Sequence, residues 1–215
     1  SGLATAESSL SSLLDSLPAA PKGDRRLSVE LADFPRCEGV LIPAGINFVG
    51  AACDLYQAGY EQSGAAEVVG KFLRTGWLWE MIRVRGGAYG AFSIFDRTSG
   101  YMALLSYRDP DIKGTLDVYA KTGPHLLGLD ISKDEVEKNI IGAIGAVDAH
   151  LLPDAKGFVS MVRRFTGDTD ERRAVLRDEI LSAGPADFKA FGEALTEAMR
   201  RPAITVVGGA DMVRT

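Results

Sequence analysis

Arg83 and Tyr89 stand where the sequence turns from a helix into a strand, within Leu78-Trp79-Glu80-Met81-Ile82-Arg83-Val84-Arg85-Gly86-Gly87-Ala88-Tyr89-Gly90. Arg83 falls on the last helical turn and Tyr89 on the first residues of the strand, so a guanidinium and a phenol hydroxyl can share one pocket. Gly86 and Gly87 supply the left-handed conformation that closes a helix, and Arg83 and Arg85 suit its negative end. The order, helix then strand, argues against a phosphate loop, which runs from strand into helix so that N-terminal amides meet the anion. Nor do the histidines offer a catalytic zinc site: His125 and His150 are the only two, 25 residues apart, with no H-x-x-E-H or i,i+4 pair. Cys37 and Cys53 could join a histidine as ligands, though nothing in their spacing suggests it. Periodicity alone also admits a plain reading, with the glycines a helix stop, Arg83 a solvated charge and Tyr89 a core ring.

The elements that must position this corner follow from hydrophobic spacing. Ala65, Val68, Val69, Phe72, Leu73, Trp79 and Ile82 recur at helical intervals, so one helix is expected from about 64 to 84 with that face buried. Residues 88–95 alternate as a strand and pair with 101–107 in a hairpin across Asp96-Arg97-Thr98-Ser99-Gly100. Phe92 and Ile94 alternate with Ser93 and Phe95 along that strand, and one face of it could touch substrate side chains. Upstream, residues 4–17 predict a short amphipathic helix, Pro18 to Gly23 a linker, 26–31 a strand and 46–55 a better one. Downstream, Asp109 is expected to cap a helix with Pro110 in its first turn, and Gly123-Pro124 to interrupt it, leaving His125 solvated. Tyr107 and Arg108 have no role that spacing supplies, though one of them could face a substrate chamber.

Ser132 and Glu135 have capping-box spacing and open a helix burying Val136, Ile140, Ile144 and Val147, with His150 at its end. Past Pro153, a corner with a cap, a helix is expected to bury Phe158, Met161, Val162 and Phe165. Another follows over 169–181, and a last one starts at Gly184-Pro185 with Phe188, Phe191, Leu195 and Met199 on one side. Residues 203–207 form a closing apolar strand. The order implies an α+β fold, an antiparallel sheet covered on one face by helices. Residues 1–24 read as a helix and linker from an upstream region, and 25–215 as a single domain.

Lys plus Arg number 24 and Asp plus Glu 29 in 215 residues, a net charge of −5 that argues against nucleic acid and anionic membranes as partners. A chain this long buries about 70% of its unfolded surface. Two isolated cysteines fit free thiols in a reducing compartment. No run approaches the ~18 apolar residues of a membrane span. A start without methionine is expected of a processed or excised piece.

The run R-x-x-G-G-A-Y-G, the hairpin with Ser106-Tyr107-Arg108-Asp109-Pro110, the segment Asp148 to Gly157, and Asp178-Glu179-Ile180-Leu181-Ser182 before Asp187-Phe188-Lys189 together resemble the C-terminal half of the insulinase-type (pitrilysin, peptidase family M16) metallopeptidases. The nearest branch is the presequence protease and falcilysin group, and the likeness covers roughly residues 45–200. It implies the LuxS/MPP-like metallohydrolase fold and an arginine and tyrosine, here Arg83 and Tyr89, that reach a peptide bound on the N-terminal half. By the resemblance, Tyr89 donates to the developing oxyanion, and Arg83, Gly86, Gly87 and Tyr89 contact substrate. Zinc belongs to the full-length enzyme, bound by an N-terminal half on the same polypeptide; none is expected on this chain, which alone should be inactive. Unstructured peptides, targeting peptides included, are the implied substrates, in a mitochondrial matrix, plastid or bacterial cytoplasm. The alternative is a noncatalytic peptide-binding or scaffold domain of the same fold.

Overall fold

Five strands and a run of helices build the fold around the corner in a computed structural model that describes residues 2–18 and 35–213. The chain divides into two units, Ser1–Phe34 and Pro35–Thr215. In the first, α1 (Gly2–Ser16) is the expected amphipathic helix, with Leu10, Leu13, Leu14 and Leu17 all exposed. The strand read at 26–31, and all but the first residue of the linker read at 18–23, lie outside the described residues.

The second unit holds a sheet of β1 (Cys37–Leu41), β2 (Asn47–Asp54), β3 (Gly90–Phe95), β4 (Tyr101–Asp109) and β5 (Ala203–Gly208), in the order β1-β5-β2-β4-β3. The hairpin forms as read, Phe95 pairing Met102 and Gly90 pairing Tyr107. β2 joins β4 and β5 antiparallel, and β1 enters parallel to β5 at the edge. Sequence reading had no strand at β1, whose five residues are all exposed and carry no alternation to detect.

Helices cover one side: α2 (Ala65–Thr75), α3 (Ile112–Leu127), α4 (Lys133–Val147), α6 (Asp170–Leu181) and α7 (Pro185–Ala198). Beneath them lie Val49, Ala51, Ala91, Met102 and Leu104 from the strands, against Val68, Leu73, Tyr119, Phe188, Phe191 and Leu195. Tyr119 anchors the layer by donating to the Val49 carbonyl at 3.2 Å. The opposite side of the sheet is open and presents Phe92, Ile94, Tyr101 and Tyr107. Ser93, between Phe92 and Ile94, points the other way, donating to the Gly70 carbonyl at 3.0 Å.

Several expectations are corrected. Asp109 does not cap α3; Asp111 does, accepting from the Gly114 amide at 2.9 Å, while the buried Asp109 accepts from Thr115 at 2.6 Å and from the Asp111 amide at 2.9 Å. Gly123-Pro124 does not interrupt α3. A Cβ at Gly123 would sit 2.4 Å from Thr196 Oγ1, so α7 packs directly on α3 there, and that contact outweighs the one hydrogen bond Pro124 forgoes. α5 (Pro153–Thr166) forms where expected but buries nothing: Phe158, Met161, Val162 and Phe165 are all exposed. Its N-cap, Leu152, makes no side-chain capping bond. Val147 at the end of α4 is also exposed, and Ala143 and Asn139 take the buried positions beside Val136.

Candidate functional site: the arginine–tyrosine corner

The helix expected over 64–84 breaks at Gly76 and resumes as a π-helical segment, Trp79–Arg85. The break shifts the phase of the apolar stripe. Leu78 and Ile82 are buried, whereas Trp79, expected on the buried face, is 43% exposed. Residues four apart share one face, and the Arg83 guanidinium lies over the Trp79 ring, 4.1 Å from its centroid. Single π turns of this kind recur at functional sites.

The segment ends in backbone that admits no side chain. The Gly86 amide reaches back to the Met81 carbonyl at 3.1 Å, and a Cβ there would sit 2.6 Å from the Ile82 oxygen. Gly87 follows with φ +79, a left-handed turn that costs glycine nothing. The Ala88 amide then bonds the Ile82 carbonyl at 3.1 Å, and the Tyr89 amide the Tyr107 carbonyl at 3.0 Å. The chain is thus pinned on both sides of the turn.

Tyr89 emerges 63% exposed, its ring 5.5 Å from the Arg83 guanidinium and edge-on to Tyr107 at 5.8 Å. Tyr107 in turn meets Phe48 edge-on at 5.4 Å. These rings lie along the open side of the sheet. Just beyond Tyr107 the β2–β4 register slips by one residue, and Arg108 takes φ 52 in the resulting bulge. Asn47, fully buried, ties that bulge down by donating to the Asp109 carbonyl at 2.8 Å.

Among the described residues neither the Arg83 guanidinium nor the Tyr89 hydroxyl makes a hydrogen bond or ion pair; Glu80, the acid nearest in sequence, is held by Arg85 at 3.0 Å. The corner therefore offers a cation and a phenol donor to whatever lies on the open face.

No group of three or more His, Cys, Asp or Glu among the described residues is placed to hold a metal ion. His125, expected to be solvated, instead stacks on Trp77, 4.0 Å between centroids, with the Phe72 ring nearly parallel at 6.3 Å. Burial lowers its pKa below the usual imidazole value. His150 lies exposed past the end of α4. Cys37 is an exposed and Cys53 a buried free thiol. No helix among the described residues is long and apolar enough to cross a membrane.

Two segments singled out in the sequence do structural work. The Glu179 carboxylate accepts from the Gly64 amide at 2.6 Å, capping α2 from α6 in place of a local side chain. Asp148 pairs with Arg177, tying the turn after α4 to α6. Sequence reading missed Trp79 as a neighbour of the site and left open whether Tyr107 or Arg108 faces it; Tyr107 is the one that packs on Tyr89. The i,i+4 spacing of Trp79 and Arg83 was the available signal.

A one-sided α+β sheet of this kind is the fold of the M16, insulinase-type peptidase domains. The peptidase M16 inactive domain from Pseudomonas fluorescens superposes with a TM-score of 0.59 at 14% identity, over 81% of this chain and 43% of that one. Pitrilysin does so at 0.56 and 15%, over 80% and 19%. In sequence, residues 37–209 match the family model described as PreP C-terminal domain. Presequence protease 1, chloroplastic/mitochondrial, of Arabidopsis thaliana is 45% identical over 198 residues, which are 90% of this chain and 18% of that protein. The chain belongs to the presequence-protease family of M16 peptidases, as its C-terminal domain.

Proposed function

We propose that this chain is the substrate-chamber domain of a zinc-dependent oligopeptidase that degrades unstructured peptides, cleaved targeting peptides among them. The observation that carries this reading is the corner itself. A guanidinium and a phenol hydroxyl, neither hydrogen-bonded nor ion-paired to another described residue, stand together at the open face of the sheet in a chain of this family. A peptide lying along that face presents its scissile carbonyl to Tyr89, whose hydroxyl donates to the oxygen as it becomes an oxyanion. Arg83 gives its in-plane N–H groups to neighbouring carbonyls or a carboxylate of the peptide. Gly86 and Gly87 shape the tight turn that sets Arg83 and Tyr89 beside the substrate backbone.

The described residues do not fit a zinc ion, and the metal and the water it activates are assigned to an N-terminal half of the same polypeptide. The compartment is proposed from the relative's name and from the family, a plastid or mitochondrial interior or a bacterial cytoplasm.

The test is hydrolysis of one unstructured peptide by the full-length protein, beside its Tyr89→Phe and Arg83→Ala variants and a chelator-treated sample. Chelation is expected to abolish cleavage, Tyr89→Phe to slow turnover and Arg83→Ala to weaken binding as well. Wild-type kinetics in both variants would remove the corner from the reaction. Saturable binding without cleavage would assign the domain to a peptide-binding scaffold.

A further inference from the structure

We propose that Trp79 is a positioning residue of this site, holding the Arg83 guanidinium in place before a peptide arrives. The inference rests on the reading above that Arg83 binds substrate. Arg83 is half-buried, yet among the described residues no carboxylate or carbonyl fixes its head. Its only partners there are ring faces, Trp79 at 4.1 Å and Tyr89 at 5.5 Å. A free arginine side chain samples many rotamers, and freezing it on binding costs affinity. Stacking settles that conformation in advance. It also spends only the flat face of the guanidinium, so the N–H donors around its edge stay available.

The backbone is built to allow this contact. The break at Gly76 and the π turn that follows lift Trp79 off the buried stripe that helical spacing predicts for it and bring it over Arg83. Leu78 fills the core position instead, fully buried. On the far side Tyr89 is braced by Tyr107, so the guanidinium sits beside a ring that is itself held. Trp79 thus acts on substrate only through Arg83.

The test is a double-mutant cycle on peptide hydrolysis by the full-length protein, with Trp79→Leu, Trp79→Phe and Arg83→Ala alone and combined. Trp79→Leu is expected to lower kcat/KM about tenfold, mostly through KM, and Trp79→Phe, which keeps a ring face, to stay within about threefold of wild type. In the Arg83→Ala background, Trp79→Leu is expected to cause no further loss. A partly exposed Trp79 should be replaceable without unfolding; Trp79→Met carries the same cycle if Trp79→Leu does not fold. Losses that multiply with Arg83→Ala, or an unchanged Trp79→Leu enzyme alongside an impaired Arg83→Ala enzyme, would overturn the positioning role while leaving the proposed function standing. Unimpaired Arg83→Ala and Tyr89→Phe enzymes would overturn both.

Discussion

Under the proposed function the Tyr89 ring and the Tyr89 hydroxyl have separable jobs. The ring packs on Tyr107 and beside Arg83, so Tyr89→Phe keeps the packing and removes only the donor. Turnover of the full-length protein is expected to fall about a hundredfold to a thousandfold, as loss of one oxyanion donor typically does, with the melting temperature unchanged. His125 makes a prediction about stability rather than activity. Burial against Trp77 and beside Phe72 lowers its pKa, so the folded chain resists protonation while the unfolded chain protonates near 6.5. Below that pH the unfolded state binds more protons. The stability that the neutral imidazole contributes is therefore present above 6.5 and lost as pH falls through the lowered folded value. Thermal melts at pH 7 and 5 should show the drop, and His125→Phe should flatten it.

The corner is fixed by an element that simple periodicity does not describe. A repeat of 3.6 projects Trp79 inward, and only the break at Gly76 with a π turn behind it turns the indole out. Gly86 is where that geometry is most exposed to mutation, since a Cβ would meet backbone oxygens at 2.6 and 3.1 Å that cannot move aside alone. Gly86→Ala is expected to destabilise the fold by about 1–3 kcal/mol and to lower peptide turnover by displacing Arg83. Denaturant titration and kinetics on the same variant check both. Elsewhere local signals held where the hydrogen bonds are local: Ser132 caps α4 by accepting from the Glu135 amide at 3.2 Å, and Thr169 caps α6 by accepting from the Arg172 amide at 3.4 Å. They missed where the partner is distant. Gly64 is capped by Glu179, 115 residues away, and α3 passes through Pro124 because α7 packs on it.

For the molecule as a whole, the core predicts an alkaline limit. Burial raises the Cys53 thiol from 9.0 to about 12, with the Asp54 charge adding to it, and burial also raises Tyr60 and Tyr119. A raised folded value means that the protonated thiol contributes stability below pH 9.0 and that this is lost as pH climbs toward about 12. Denaturant unfolding should show stability falling across that range, with Cys53→Ala removing up to about 4 kcal/mol of the fall. The proposed division of labour with an N-terminal half makes a second prediction. The chain by itself, with zinc added, is expected to leave an unstructured peptide intact; cleavage by the chain alone would contradict the assignment of the metal site elsewhere.

The hairpin, α2, α6, α7 and the closing strand were legible in the sequence, because each rests on spacing and turn chemistry within a few residues. So was the pairing of Arg83 with Tyr89, since a short glycine turn leaves them nowhere else to go. Other features depended on contacts that no local pattern encodes. β1 joins the sheet only because β5 offers it a parallel edge. The apolar stripe of α5 was read as buried, yet Phe165 is 83% exposed, because periodicity reveals an amphipathic helix and not its partner. Trp79 and Tyr107 became neighbours of the site through a π turn and a cross-strand pairing, so the residues of the corner were written in the sequence and their shared geometry was decided by the tertiary fold.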